Sequence, residues 1–199
     1  MSREKLATQI RQEQIAQAAL SLIASHGVKG LSVAAVAQRV GLVPSGIYRH
    51  FRSKDQILDA ALDFIAERLL GNVRIVSAES VDALERLQRL LMRHVELLRQ
   101  NQGVLRVMFA EEAYSGRPAR KAKVFRMIQT YLAEIGAIIR DGQRQRRIRA
   151  DVEPGSAALM FLGLIQPAAI LWQMSDGQFD VTRHTDKAWT VFRAGLMPR

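Results

Sequence analysis

The sequence predicts an all-α fold. Apolar residues recur three and four positions apart in each apolar-rich segment, and no run shows the alternation of a half-buried strand. The segments are separated by short clusters of glycine, proline, serine and aspartate, where the periodicity stops. Ile15, Ala18, Ala19, Leu22 and Ile23 place a first helix, ended by His26 and Gly27, because glycine takes the left-handed C-cap conformation without strain. A second, short helix begins after Ser32, a favoured N-cap. It buries Val33, Val36, Ala37 and Val40 before Gly41 stops it. Ala35 stands where a capping box would carry Glu or Gln.

Pro44 suits a first helical position, where its missing N–H is harmless, and opens a third short helix expected to reach His50. Ser53 with Gln56 three residues on forms a capping box for a long helix through Ile57, Ala61, Leu62, Ile65 and Leu69. Helical spacing continues over Leu84 to Leu98, Val104 to Tyr114, Val124 to Ile139, Ala157 to Trp172 and Ala188 to Leu196, for about nine helices in all. Pro167 lies inside one of them. It removes a backbone hydrogen bond and crowds the carbonyl of Gly163, so a kink is expected there.

A chain of 199 residues, 48% hydrophobic, can bury a substantial core. Its formal net charge of +10 predicts attraction to polyanions. The absence of cysteine excludes disulfides, thiolate zinc sites and cysteine nucleophiles. The N-terminal segment is charged and lacks the apolar centre of a signal peptide, and the richest apolar stretch, Ala157 to Met174, is interrupted by Gln166, Pro167 and Gln173. A cytoplasmic protein without a membrane partner is the expectation. An enzyme is not expected: His26, His50, His94 and His184 are isolated, and no HExxH, phosphate-loop or nucleophile-elbow pattern occurs. Glu111 and Glu112 are adjacent, and helix neighbours do not face one another. No cofactor or metal is predicted.

The second and third helices, joined by a tight glycine turn, make a helix-turn-helix, whose second helix enters the DNA major groove. Ile47 and Phe51, spaced i and i+4, can anchor that helix and leave Pro44, Ser45, Tyr48 and Arg49 facing outward.

This stretch resembles the tetracycline-repressor (TetR/AcrR) family of bacterial regulators. The resemblance is carried by Gly30, Leu31, Ser32, Val36, Ala37, Val40, Gly41, Ile47, Tyr48, His50, Phe51, Lys54 and Leu58, in the family's order and spacing. It implies a DNA-binding domain over residues 1–56 and a helical ligand-binding and dimerisation domain over 57–199. It also implies that Tyr48, His50 and Lys54 touch the DNA backbone and that Ser32 caps the supporting helix and contacts a phosphate. Ser45, Gly46 and Arg49 are candidates for the groove. Arg49 can read guanine bidentately or neutralise a phosphate. The chain departs from the family at Val43, often a polar cap, at Pro44, and at Ala34 and Ala35, often longer polar residues. Specificity is therefore expected to lean on Arg49, on thymine-methyl contact by Pro44 and on DNA shape.

Residues 1–56 hold eight basic side chains, Arg3 and Lys5 among them, against three acidic ones, Glu4 among them. Two further basic stretches, 117–126 and 144–149, read as solvated helix termini, with a second polyanion site as the alternative. The resemblance implies a homodimer on a (pseudo)palindromic double-stranded DNA operator, released by a small-molecule effector that changes the spacing of the two DNA-reading heads. The last two helices are expected to pair with their symmetry mates through Ala157, Phe161, Leu164, Ala168, Leu171 and Val191. Met92, Phe109, Tyr131, Phe161 and Trp172 are the candidate effector-lining residues, with His94 as the polar residue beside them. Two alternatives stand beside the repressor reading. One is a ligand-independent or nucleoid-associated DNA-binding protein of the same fold, the other a basic helical protein that binds membranes or acidic partners nonspecifically.

Overall fold

The computed structural model describes residues 3–198, with side chains from residue 7 onward. The side chains of Arg3, Glu4 and Lys5 lie outside the described residues. All regular elements among the described residues are helices: α1 (Arg3–His26), α2 (Val33–Arg39), α3 (Pro44–Tyr48), α4 (Lys54–Glu79), α5 (Ala83–Gln100), α6 (Gly103–Phe109), α7 (Glu111–Tyr114), α8 (Pro118–Arg144), α9 (Pro154–Gly163), α10 (Gln166–Met174) and α11 (Val181–Leu196). Two of the expected helices are each divided. The segment 104–114 breaks at Ala110, whose extended backbone (φ −75°, ψ 118°) separates α6 from α7. The segment 154–174 breaks at Leu164 and Ile165, so that Pro167 falls in the first turn of α10, where it lacks no bond. That segment is long and apolar enough to cross a membrane by composition alone, but it is two helices.

The chain forms two compact units. The first joins Met1–Glu67 with Gln100–Val124; a boundary at residue 56 falls inside it. Its core is built from Ile15, Ala19 and Ile23 of α1, Val36 and Ala37 of α2, Ile47 of α3, and Ile57, Ala61 and Leu62 of α4. α1 packs on α2 and α6, and α2 on α3. The start of α6 comes so near α1 that a Cβ on Gly103 would stand 2.0 Å from the carbonyl oxygen of Leu20.

The second unit comprises Arg68–Arg99 and Phe125–Arg199. Its interior holds Leu87, Leu91 and Val95 of α5, Ile135 and Ile139 of α8, Phe161 of α9 and Trp189 of α11. Glu153 caps α9, accepting from the N–H groups of Gly155 (2.7 Å) and Ser156 (2.5 Å). Asp180 caps α11 by accepting from Arg183 N–H at 2.9 Å, so this helix begins at Val181, ahead of the apolar spacing that starts at Ala188. In the 144–149 stretch, Arg147 donates to Asp82 at 2.8 Å and Arg149 to Asp151, so part of that run is paired within the unit.

Candidate nucleic-acid interface

The helix-turn-helix is assembled by local backbone chemistry. Ser32 (φ −141°, ψ 155°) accepts from Ala35 N–H at 3.1 Å and so caps α2; its own O–H remains available to donate outward. α2 ends in a Schellman motif. Gly41 sits at φ 69°, Leu42 N–H bonds to Ala37 O at 2.8 Å, and Gly41 N–H bonds to Gln38 O at 3.3 Å. A residue with a Cβ at that φ would be strained, so this turn depends on glycine.

The chain then enters α3 without a side-chain cap, because Val43 has no acceptor to offer. Pro44 removes one of the N–H groups that would lack a partner. α3 itself ends at Tyr48, two residues short of the expected His50, although Phe51 N–H and His50 N–H still reach Ile47 O at 2.9 and 2.8 Å. Ile47 is wholly buried and Phe51 nearly so, as their i, i+4 spacing predicts. These two anchors leave Val43, Pro44, Ser45, Tyr48 and Arg49 exposed. Gly46 is half-buried, and a Cβ there would meet the Leu42 side chain at an ordinary 3.6 Å.

α4 starts from the predicted serine cap. Ser53 Oγ accepts from Gln56 N–H at 3.3 Å, and the Gln56 amide oxygen reaches back to Arg52 N–H at 2.6 Å, one residue beyond the usual capping-box partner. Lys54 is half-buried, with its ammonium 3.5 Å from the carbonyl oxygen of Lys29. His50 is also half-buried. It lines one end of a groove of about 440 Å³ between α1 and α4, whose other walls carry Glu13, Asp59, Asp63 and Glu67. His50 thus stands between a polar, cation-bearing face and an acidic one.

The acidic residues of α4 have partners that sequence reasoning missed. Asp55, Asp59 and Asp63 repeat every four residues on one face of α4, and Arg117, Arg120 and Lys123 repeat every three from the residue before α8 into its first two turns. Arg117 Nη2 lies 2.6 Å from Asp55, Arg120 Nε 2.6 Å from Asp59, and Lys123 Nζ 2.6 Å from Asp63. The Arg117 and Arg120 guanidiniums hold the Asp55 carboxyl down at about 2. Most of the basic stretch 117–126 is therefore an ion-pair ladder rather than a solvated helix start. The matching i+4 and i+3 stripes were the available signal.

The candidate effector residues are dispersed. Phe109 belongs to the first unit and is exposed, whereas Tyr131 and Phe161 are buried in the second and Met92 and Trp172 half-buried there. Tyr131 Oη makes a 3.1 Å hydrogen bond with His94 Nδ1, the rings meeting edge to face. Burial alone holds the imidazole down at about 4 and pushes the phenol up. Of the candidate dimer residues, Ala157, Phe161 and Ala168 face the unit's own interior, Leu164 is half-buried, and Leu171 and Val191 are exposed. Leu159, Met160, Ile170 and Met174, which the sequence reading did not single out, are exposed on α9 and α10.

Comparison with known proteins agrees with this geometry. The profile of bacterial regulatory proteins of the tetR family matches residues 15–61, and that of the tetracyclin repressor-like C-terminal domain matches residues 80–196. The nucleoid occlusion factor SlmA of Vibrio vulnificus (strain YJ016) is 24% identical over 187 residues, covering 94% of this chain and 95% of the relative. The fatty acid degradation regulator FadR from Bacillus halodurans shares the fold with a TM-score of 0.79 at 22% identity, over 95% of this chain and 97% of its own. FadR from Bacillus subtilis, solved in complex with stearoyl-CoA, gives a TM-score of 0.75 at 20% identity, over 92% and 98%. With the two profiles matched on either side of an intact helix-turn-helix, the chain belongs to the tetracycline-repressor family of bacterial regulatory proteins.

Proposed function

We propose that the protein is a ligand-responsive transcriptional repressor that binds a pseudo-palindromic operator as a homodimer and leaves it when a small molecule binds the C-terminal domain. The observation that carries this reading is the outward face of α3, where Ser45, Tyr48 and Arg49 are presented to solvent by a helix fixed through Ile47 and Phe51. Ser32, His50 and Lys54 flank it as phosphate contacts. Two such heads enter successive major grooves about 34 to 36 Å apart. The division at residue 56 and the cytoplasmic location belong to the same proposal. Dimerisation uses the exposed apolar side chains of α9 to α11, Leu159, Met160, Ile170, Leu171, Met174 and Val191, which together suit an isologous interface.

The test is selection of duplexes from a random library, followed by anisotropy titration with Arg49→Ala. Loss of about 1 to 3 kcal/mol and relaxed preference at one guanine in each half-site are expected. Unchanged preference at every guanine overturns the role of Arg49. Affinity that collapses equally for selected and random duplexes at about 0.2 M salt supports nonspecific basic binding instead.

Gly46 yields a separate prediction, since alanine fits its place in the fold. Gly46→Ala is expected to raise stability by up to about 1 kcal/mol through helix propensity, and with it the melting temperature, while weakening operator binding by shielding the groove-facing backbone. Melting curves and anisotropy on one preparation separate the two effects. Unchanged operator affinity with higher stability removes Gly46 from the interface.

A second reading has one observation in its favour, the SlmA relative that spans nearly the whole chain. A nucleoid-associated protein of this fold would hold DNA without a releasing ligand. Release from the selected duplex by long-chain acyl-CoA thioesters, the first class to screen given the stearoyl-CoA complex of the Bacillus subtilis neighbour, decides for the repressor.

A further inference from the structure

Arg120 is the most committed cation of the first unit. Although charged, it is 5% exposed. Its Nε donates to Asp59 Oδ1 at 2.6 Å, its Nη1 to the carbonyl oxygen of Ala113 at 2.8 Å, and its Nη2 to Asp55 at 2.9 Å on the carboxylate and 3.2 Å on the carbonyl. One guanidinium therefore joins the first two turns of α4, the end of α7 and the start of α8. The fork geometry is specific to arginine, since an ammonium cannot hold these directions at once. Arg117 doubles the hold on Asp55, and Lys123 extends it to Asp63. Lys29, whose carbonyl oxygen lies against Lys54, is itself paired with Glu112 of α7 at 3.1 Å.

The location of this ladder is electrostatically adverse for a DNA-binding surface. Asp55 follows Lys54 directly, and carboxylates in the first turns of a phosphate-gripping helix repel the ligand. Their benefit has to be geometric. Asp55 and Asp59 are both partly exposed, so neither requires Arg120 for its own solvation. What Arg120 supplies is a fixed position for the end of α4 that carries Lys54.

We infer that the segment 111–123, outside the helix-turn-helix, is a working part of the DNA-reading head, and that Arg120 is a positioning residue that holds Lys54 and the start of α4 in register with the phosphate backbone. The inference rests on the operator-binding reading given above.

The experiment exploits opposite signs. Asp59→Asn makes the protein more basic, so charge alone predicts tighter DNA binding, whereas loss of positioning predicts weaker binding. On the most enriched duplex from the library, Asp59→Asn and Arg120→Gln are each expected to bind about tenfold more weakly. The slope of log K against log salt should become shallower by about one as the Lys54 phosphate contact is lost. A role in stability alone would lower the melting temperature and leave that slope unchanged. Asp59→Asn replaces a partly exposed carboxylate by its isosteric amide, which keeps the test valid where Arg120→Gln fails to fold. The charge-swapped pair Lys123→Asp with Asp63→Lys should bind more tightly than either single change. Tighter or equal binding by Asp59→Asn with the wild-type slope overturns the inference and leaves the regulator reading intact. Failure of the wild-type protein to enrich any duplex overturns both.

Discussion

Gly103→Ala is expected to lower the stability of the protein by about 3 kcal/mol, the upper end for an overpacked site, and its melting temperature by about 6 to 12 °C. The cause is steric and lies between two backbones. A Cβ at Gly103 meets the carbonyl oxygen of Leu20 at 2.0 Å, its carbon at 2.8 Å and its Cα at 3.1 Å, so no side-chain rotation relieves the clash. α6 has to move away from α1 by more than 1 Å, which opens the packing of Leu20, Val104 and Val107, all buried. The first unit contains the helix-turn-helix, so operator binding should fall along with stability. Gly71→Ala is the matched control. Its Cβ meets only the end of the Arg74 side chain at 3.7 Å, and helix propensity alone predicts a gain of about 1 kcal/mol. Equal melting temperatures for the two variants would show that the α1 to α6 approach is looser than the backbone distances require.

This close approach was not legible in the sequence, where Gly103 reads as a loop glycine before an apolar run. What was legible depended on periodic burial and on short-range capping. The Ser32 cap, the Gly41 turn, the anchors Ile47 and Phe51 and the Ser53 cap are all local, and each stands as expected, while Gln56 completes the box on Arg52 rather than on Ser53. Helix ends without an apolar stripe were underestimated. α1 begins at Arg3 rather than near Ile15, and α8 runs from Pro118 to Arg144 rather than from Val124 to Ile139. Those extensions are polar, and part of the α8 extension is held by Arg117, Arg120 and Lys123 pairing with α4, some sixty positions away in the chain. A single sequence shows charge runs but not which run another one meets. The same limit applies to the dimer candidates. An apolar helix such as α9 offers Phe161 and Leu159 alike, and only the packed unit tells that Phe161 faces inward while Leu159 faces out.

The second large effect is a loss of stability on mild acidification, traced to His94. Its imidazole is buried in the second unit, bonded to Tyr131 at 3.1 Å, and burial holds it at about 4 against an ordinary 6.5. Between those values the unfolded chain binds a proton that the folded chain refuses, so stability rises with pH across this window. Stability from this source is full above about pH 6.5 and is lost as pH falls toward 4, the loss reaching about 3 kcal/mol at the acid end. Burial is the single cause of the shift, with no carboxylate contributing to it, so a protonated ring would carry an unpaired charge inside the unit. Urea unfolding at pH 7.5, 6.0 and 5.0 should show this slope in the wild-type protein, and His94→Gln should be less stable at pH 7.5 but flatter with pH. The difference between the two slopes isolates His94; Asp82, whose pKa is held below the ordinary carboxylate value by Glu85 N–H and by Arg147, makes its own contribution to the pH dependence only at more acid pH. Identical slopes would mean that the imidazole takes up its proton in the folded state.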